Sequence, residues 1–312
     1  MPGMSEVRGE LALVEHFRRE AGRDPARVPI GIGDDMAGVR LDGGLILLTC
    51  DMLLDGTHFD TGTQPLPQIG RKVLACSLSD CAAMAARPVA AVVSVGLNEQ
   101  MSQRDAEELF AGMKQIADEF GCPIVGGDTN SWPHPLAIDV SIVALPATAR
   151  GPVLRNGAKA DDAVYVTGSL GGSLRRRHLS FTPRIREATL LAGALGEGLH
   201  AMMDLSDGLA LDLYRLCKES RVGALLEEDR LEAVISADAR DVAAADGRSP
   251  LEHALHDGED FELLVVVEPS VSLPDLGILC TRVGCIVPDG LTLRTTDGRE
   301  MPLEPRGFEH FK

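Results

Sequence analysis

The chain has 312 residues, 45% of them hydrophobic, with 47 acidic against 30 basic side chains and a formal charge of −17. That is apolar sequence enough for two ordinary domains or one large one, and too acidic a surface for nucleic acid or an anionic membrane to be a partner. There is no run of about 18 apolar residues that would span a membrane and no basic-then-apolar signal peptide, and the seven cysteines, with no CxxC pair, read as free thiols of a cytoplasmic protein.

Residues 5–20 are predicted to form a helix, with Leu11, Leu13, Val14 and Phe17 as an imperfect apolar stripe. "GIGDDMAG" (31–38) follows and sets Asp34 and Asp35 between glycines. A solvated loop, a metal site and the acid–base pair of a hydrolase all fit that turn. Leu45–Leu48 is a short apolar strand that runs into Asp51, and residues 67–86, rich in alanine and small on several faces, predict a tightly packed helix. A strand at 89–97 leads to an amphipathic helix at 102–120, opened by Ser102 as cap with Asp105 three residues on. Strands at 123–128 and 136–145 precede a Pro/Gly-bearing connector at 146–162. The second half has a strand at 163–168, a helix near 184–199, the stretch "AMMDLSDGLALDLYRLCKES" (201–220) and a strand at 261–267. Strands alternate with helices in both halves, which predicts mixed α/β or α+β domains.

One design recurs among the acidic residues. An apolar segment ends and an aspartate follows in a small-residue turn, giving Asp51, Asp128, Asp204 and Asp207, with Asp80 from the packed helix and Asp35 from the opening turn. Any one of these fits a helix cap or a loop. Six that converge would repel one another unless protons or divalent cations sat among them, and oxygen ligands suit Mg²⁺, Mn²⁺ or Ca²⁺ rather than Zn²⁺. The HxxH of His253 and His256 has no third ligand in view for zinc. Neither a P-loop nor a GxGxxG fingerprint is present. "TGSLGGS" (167–173) fits either a phosphate contact or a flexible turn.

Taken in order, "GIGDDMAG", "TCDMLLDGTHF", "KVLACSLSDCAAMAARP", "GGDTN", "VLRNGAKADDAVYVTG", "MDLSDGLALDL" and "GEDFELL" resemble the thiamine-monophosphate kinase family, from about Leu11 to Phe311. That family belongs to the superfamily of aminoimidazole-ribonucleotide synthetase, selenophosphate synthetase and a hydrogenase maturation protein. The resemblance implies direct transfer of the γ-phosphoryl group of ATP to thiamine monophosphate, with several Mg²⁺ ions between acidic protein and anionic substrates. It implies a two-domain α+β and α/β fold of the aminoimidazole-ribonucleotide synthetase type: a metal- and ATP-binding dimerisation domain at 1–148, whose sheet pairs across a homodimer, and an α/β domain at 149–312. By the same resemblance, Asp35, Thr49, the Cys50 backbone, Asp51, Asp80, Asp128, Asp204 and Asp207 would hold metal, with Asp34 second to Asp35. Gly127, Asp128, Arg155 and Ser206 would meet ATP, and His58, Glu259 and Phe308 would hold thiamine monophosphate. No side chain is implied as a general base.

The chain departs from the family pattern at Cys50, often Thr, at Ser77, often Asn, and after "GGDT", where "NSWPHP" lacks the usual Arg. The segment at 169–183 is short, and its Arg175, Arg176 and Arg177 fit either replacement cationic contacts or a solvated turn. Another ATP-dependent enzyme of this superfamily, acting on a different small phosphorylated or carboxylated molecule, is the alternative reading. A non-catalytic binding protein that kept the fold is the third.

Overall fold

The computed structural model describes residues 10–21 and 24–309. The first helix, α1, runs Glu10–Glu20, and residues 5–9 of the predicted helix lie outside the described residues. β1 (Ala37–Leu41) and β2 (Gly44–Leu54) form a hairpin in which Leu41 pairs with Gly44 across Asp42 and Gly43. Asp-Gly is a favoured two-residue hairpin loop, and sequence reading passed over it and so over β1.

There follow α2 (Leu66–Ala83), β3 (Ala86–Asn98), α3 (Gln103–Glu119), β4 (Ile124–Trp132) and β5 (Ala137–Pro146). The predicted capping box at Ser102 and Asp105 is formed in both directions. These strands make a five-stranded sheet in the order β1-β2-β5-β3-β4, with β3–β4 its parallel pair. Two expectations are corrected here. β2 does not stop at Leu48 but runs on through Asp51 to Leu54, because its ladder to β5 continues as far as Leu54↔Ala137. β4 likewise carries Asp128 in its middle, paired with Ser94. Asp51 and Asp128 are mid-strand residues, whereas Asp204 does close its strand.

The second half contains β6 (Ala163–Thr167), α4 (Ile185–Leu195), β7 (Leu199–Asp204), α5 (Leu209–Ser220), β8 (Gly223–Glu227), α6 (Glu228–Leu231), α7 (Ala237–Asp246), α8 (Pro250–His256), β9 (Leu263–Val267), β10 (Cys280–Val287), β11 (Leu291–Arg294) and β12 (Glu300–Pro302). Its strands form a seven-stranded sheet, β12-β11-β8-β10-β6-β9-β7. The helix predicted near 184–199 stops at Leu195, where Gly196 turns the backbone at φ +52° and residue 199 already starts β7.

α2 explains the composition that predicted it. Thirteen of its residues are buried, from Ile69 to Ala83, and small side chains let it be enclosed on several faces at once. On one side it meets α3 so closely that a Cβ on Gly70 would lie 2.0 Å from the Leu109 carbonyl oxygen, and one on Gly112 1.9 Å from that of Pro67. At its far end Ala82, and Ala85 just beyond it, join the apolar cluster of β7, β9 and α4. α2 is therefore the element shared by both halves, and the site is built around it.

Candidate functional site

Three carboxylates from three segments meet beside α2. Asp35 of the opening turn, Asp80 of α2 and Asp204 at the end of β7 each offer an oxygen, all within 4.8 Å of one another. Small hydroxyls fix the orientations. Ser79 donates to Asp204 at 2.6 Å, Ser77 donates to Asp51 at 2.7 Å, and Thr49 donates to Asp80. Burial holds the Asp80 carboxyl well above the usual range, and the charges of Asp51, Asp204 and Asp35 add to it. Asp204 is raised well above its usual value by burial and by Asp35, and Asp51 is raised chiefly by burial. Such a set needs positive charge, and its all-oxygen donors fit a hard divalent cation such as Mg²⁺ or Mn²⁺.

The only cation bonded to this triad among the described residues is Arg155, whose Nε and Nη2 reach Asp35 at 3.0 and 2.5 Å. Burial pulls the Arg155 pKa down, but attraction to Asp35 outweighs it and the net direction is up. Asp34 does a different job from its neighbour. It accepts the Arg155 backbone N–H at 2.8 Å, and burial raises its pKa. Of the two adjacent aspartates, Asp35 joins the carboxylate cluster and Asp34 secures the arginine segment.

A cavity of about 250 Å³ opens next to the cluster and is lined from both halves, by Asp51, Met52, His58, Cys76, Ser206, Asp207, Glu259, Phe261 and Phe308 among others. His58, Glu259 and Phe308, proposed together from scattered segments, thus share one wall-to-wall space. His58 Nδ1 accepts from the Leu54 N–H at 2.9 Å, which places the neutral ring's proton on Nε2. A second basin of about 280 Å³ shares Ser206 and Asp207 and carries Arg18, Arg155, Arg215 and Lys218. Asp207 is bonded to Arg215 and is not part of the three-carboxylate group. Asp212, which sequence reading missed, accepts from the N–H groups of Asp207 and Gly208 at 2.9 and 3.1 Å and holds this turn.

Gly127 and Asp128 are not brought to this cluster within the chain. Asp51, Val140, Val93 and Gly127 form one row across the sheet, so Gly127 stands about 14 Å from Asp51, three strand spacings away. Asp128 lies in the next row with Met52, Asp139 and Ser94 and therefore faces the opposite side from Asp51. Cys50 also faces that side, its Sγ 3.2 Å from Asp139. Asp128 accepts from Asn130 at 2.8 Å.

Other sequence candidates resolve into structural roles. His253 lies between Asp257 and Asp246, and His256 bonds the Arg306 carbonyl, so the HxxH does not converge. Arg175 pairs with Asp241, while Arg177 reaches Asp260 at 2.7 Å. In "TGSLGGS" the Gly171 and Gly172 N–H groups donate to Asp260 and Asp257. Ser79 and Lys72 had no signal in the sequence beyond their place on a small-residue helix.

Residues 33–146 match the family model described as AIR synthase related protein, N-terminal domain. The chain is 39% identical over 307 residues to a thiamine-monophosphate kinase of Rhodopirellula baltica, covering 94% of this chain and 95% of that one. It is 33% identical over 313 residues to a thiamine-monophosphate kinase of Methanospirillum hungatei, covering 96% and 98%. A solved structure of AaThiL complexed with AMPPCP and TMP aligns with a TM-score of 0.83 at 27% identity over 97% of both chains. A HypE–HypF complex, at 22% identity and a TM-score of 0.75, shares the fold.

Proposed function

Because the chain belongs to the thiamine-monophosphate kinase family, we infer that its cleft transfers a phosphoryl group from ATP to thiamine monophosphate, giving thiamine diphosphate and ADP. It is an enzyme, a thiamine-phosphate kinase. The observation that carries the assignment to this cleft is the cavity itself. One space bounded by both halves brings His58, Glu259 and Phe308 together and abuts the aspartate cluster.

Asp35, Asp80 and Asp204, with Thr49, Asp51 and the Cys50 backbone beside them, would hold several Mg²⁺ ions, and Asp207 would add a contact from the next turn. Bound there, the ions supply the positive charge that lets two anionic substrates meet in an acidic site. Arg155 and Ser206 are assigned to ATP, since both line the cationic basin that adjoins the cavity at Ser206. Phe308 offers a face to the flat, partly cationic thiamine moiety, and Glu259 offers it a carboxylate. The attacking phosphate oxygen carries its own charge, so no general base is assigned. The residues align and neutralise.

The reading includes two domains, divided as 1–148 and 149–312, and a homodimer in a reducing cytoplasm, in keeping with seven unpaired cysteines. Support for the dimer comes from the sheet face opposite α2, where Met52 is 60% and Val92 46% exposed alongside Leu48, Leu54 and Val143. An apolar face of that kind marks an interaction surface; Asp128 would meet ATP from it, and Gly127 from the preceding position of the same strand.

The deciding experiment incubates the purified protein with ATP, Mg²⁺ and thiamine monophosphate and follows thiamine diphosphate, with aminoimidazole precursors and selenide in parallel. Turnover should require thiamine monophosphate, cease in EDTA and return with Mg²⁺ or Mn²⁺. Turnover of a parallel substrate alone, or full activity in EDTA, would overturn the assignment.

A further inference from the structure

Lys72, the seventh residue of α2 and two past Gly70, has no exposed surface, and its ammonium is bonded on both walls of the cavity. It donates to the carbonyl oxygen of His58 in one half and to Oε2 of Glu259 in the other. His178, only 3% exposed, places Nδ1 3.1 Å from Lys72 Nζ and 3.1 Å from the same Oε2. Both contacts to Glu259 fall on one oxygen, so Oε1 stays outside the Lys72–His178 group while the residue lines the cavity. His178 Nε2 is buried without a hydrogen-bond partner. The ring therefore works through Nδ1.

Glu259 sits on backbone that would not hold its place unaided. Its φ is +56° and that of Phe261 is +50°, a region that L-residues rarely adopt and that persists where surroundings impose it. The surroundings are the short segment at 173–184 and α2. Arg177 takes Asp260 at 2.7 Å, Arg184 takes Glu262 at 2.6 and 2.8 Å, and Phe181 stacks on Phe261 with centroids 4.1 Å apart. Each acidic residue of "GEDFE" has its own cation, and Lys72 is the one that comes from the other half.

We propose that Lys72, with His178, is a positioning residue of the substrate cavity: one buried ammonium fixes the His58 wall and the Glu259 wall relative to each other and so sets the gap that the substrate's ring must fill. Holding groups in place before binding lowers the cost of ordering them afterwards. A lysine suits the task because a buried carboxylate left unpaired is disfavoured, and its donors can serve a carbonyl and a carboxylate together, while the His178 ring bonds the same carboxylate oxygen through Nδ1.

This rests on the reading that the cavity takes thiamine monophosphate, and wild-type turnover of that substrate is the arm that tests the reading alone. With turnover established, Lys72→Met should raise the KM for thiamine monophosphate about tenfold or more, with the KM for ATP within about twofold. In a Glu259→Gln background the same substitution should change that KM by less than about threefold, since its effect runs largely through Glu259. His178→Leu should repeat the KM change in milder form, and His178→Asn, which keeps a polar atom near Nδ1, should restore it; this pair keeps the test open if Lys72→Met folds poorly. A lowered Tm with both KM values unaltered, equal rises in both, or full additivity with Glu259→Gln would overturn the proposal.

Discussion

Asp80 shows how far a single side chain's energetics can run against its use. It is placed by α2 among Asp35, Asp51 and Asp204, and burial and these charges hold its pKa well above the usual range. A group whose folded pKa is raised contributes stability that is complete below its unfolded value near 4 and is lost as pH rises through the folded one. Asp204 is shifted the same way, and Asp212 and Asp260, raised by burial to about 7 and about 8, extend the window upward. In EDTA the stability should therefore fall between about pH 5 and 8, by up to about 1.4 kcal/mol per pH unit for each titrating group, and the Tm with it. Mg²⁺ should raise the Tm more at pH 8 than at pH 5. Asp80→Asn should raise the metal-free Tm at pH 8 yet cut turnover by about 10²-fold or more, as for other lost transition-state charge contacts. Thermal melts and initial rates on one preparation check both signs, and a metal-free Tm that climbs with pH would contradict the account.

The elements are set by how closely α2 can be surrounded. Gly70 and Gly112 face backbone carbonyls of the opposite helix at 2.0 and 1.9 Å from where a Cβ would stand. Alanine is intrinsically better than glycine in a helix by about 1 kcal/mol. Here that gain is outweighed, because the added methyl meets backbone rather than a movable side chain and the helices must part. Gly112→Ala should lower stability by about 1–3 kcal/mol, the usual cost of overpacking, measured by urea unfolding. Because α2 also carries Lys72, Ser77, Ser79 and Asp80, turnover should fall with it. A stabilised Gly112→Ala protein would mean that the two helices are not held in this contact.

At the scale of the whole molecule, the position of Asp128 matters most. It lies on the sheet face away from Asp51, beside the exposed Met52, so a dimer formed through that face would let it serve the other subunit's site. Closed two-fold dimers allow a direct check. Asp80→Asn and Asp128→Asn proteins, each inactive alone, should on dissociation and re-pairing regain about a quarter of wild-type activity, because half the dimers carry one intact site. No recovery after verified exchange would assign both residues to one subunit's site. Val92→Glu should shift the molecular mass in light scattering from dimer to monomer, since it sets a charge in the middle of the apolar face.

The sequence by itself determined the elements whose signal is local. The capping box at Ser102, the small-residue helix expected at 67–86 and found at 66–83, and the strands expected at 89–97, 136–145 and 261–267 and found at 86–98, 137–146 and 263–267 follow from periodicity, capping and composition, their ends aside. Local chemistry also singled out Asp35, Asp80 and Asp204, though it could not separate them from Asp128 and Asp207, which lie outside the three-carboxylate group, and the order of motifs pointed to the family. It left out β1, despite the Asp-Gly turn, and most of the region between 221 and 260, where short segments carry little periodic signal. Only the tertiary structure decided which candidates meet. Strand ends cannot be read when a neighbour extends the ladder, as β5 does for β2, and the face a residue takes depends on register, which put Asp51 inward and Asp128 outward. Lys72 was illegible for the same reason. A lysine on a helix reads as solvated, and only packing from both halves shows that its partners are His58, His178 and Glu259.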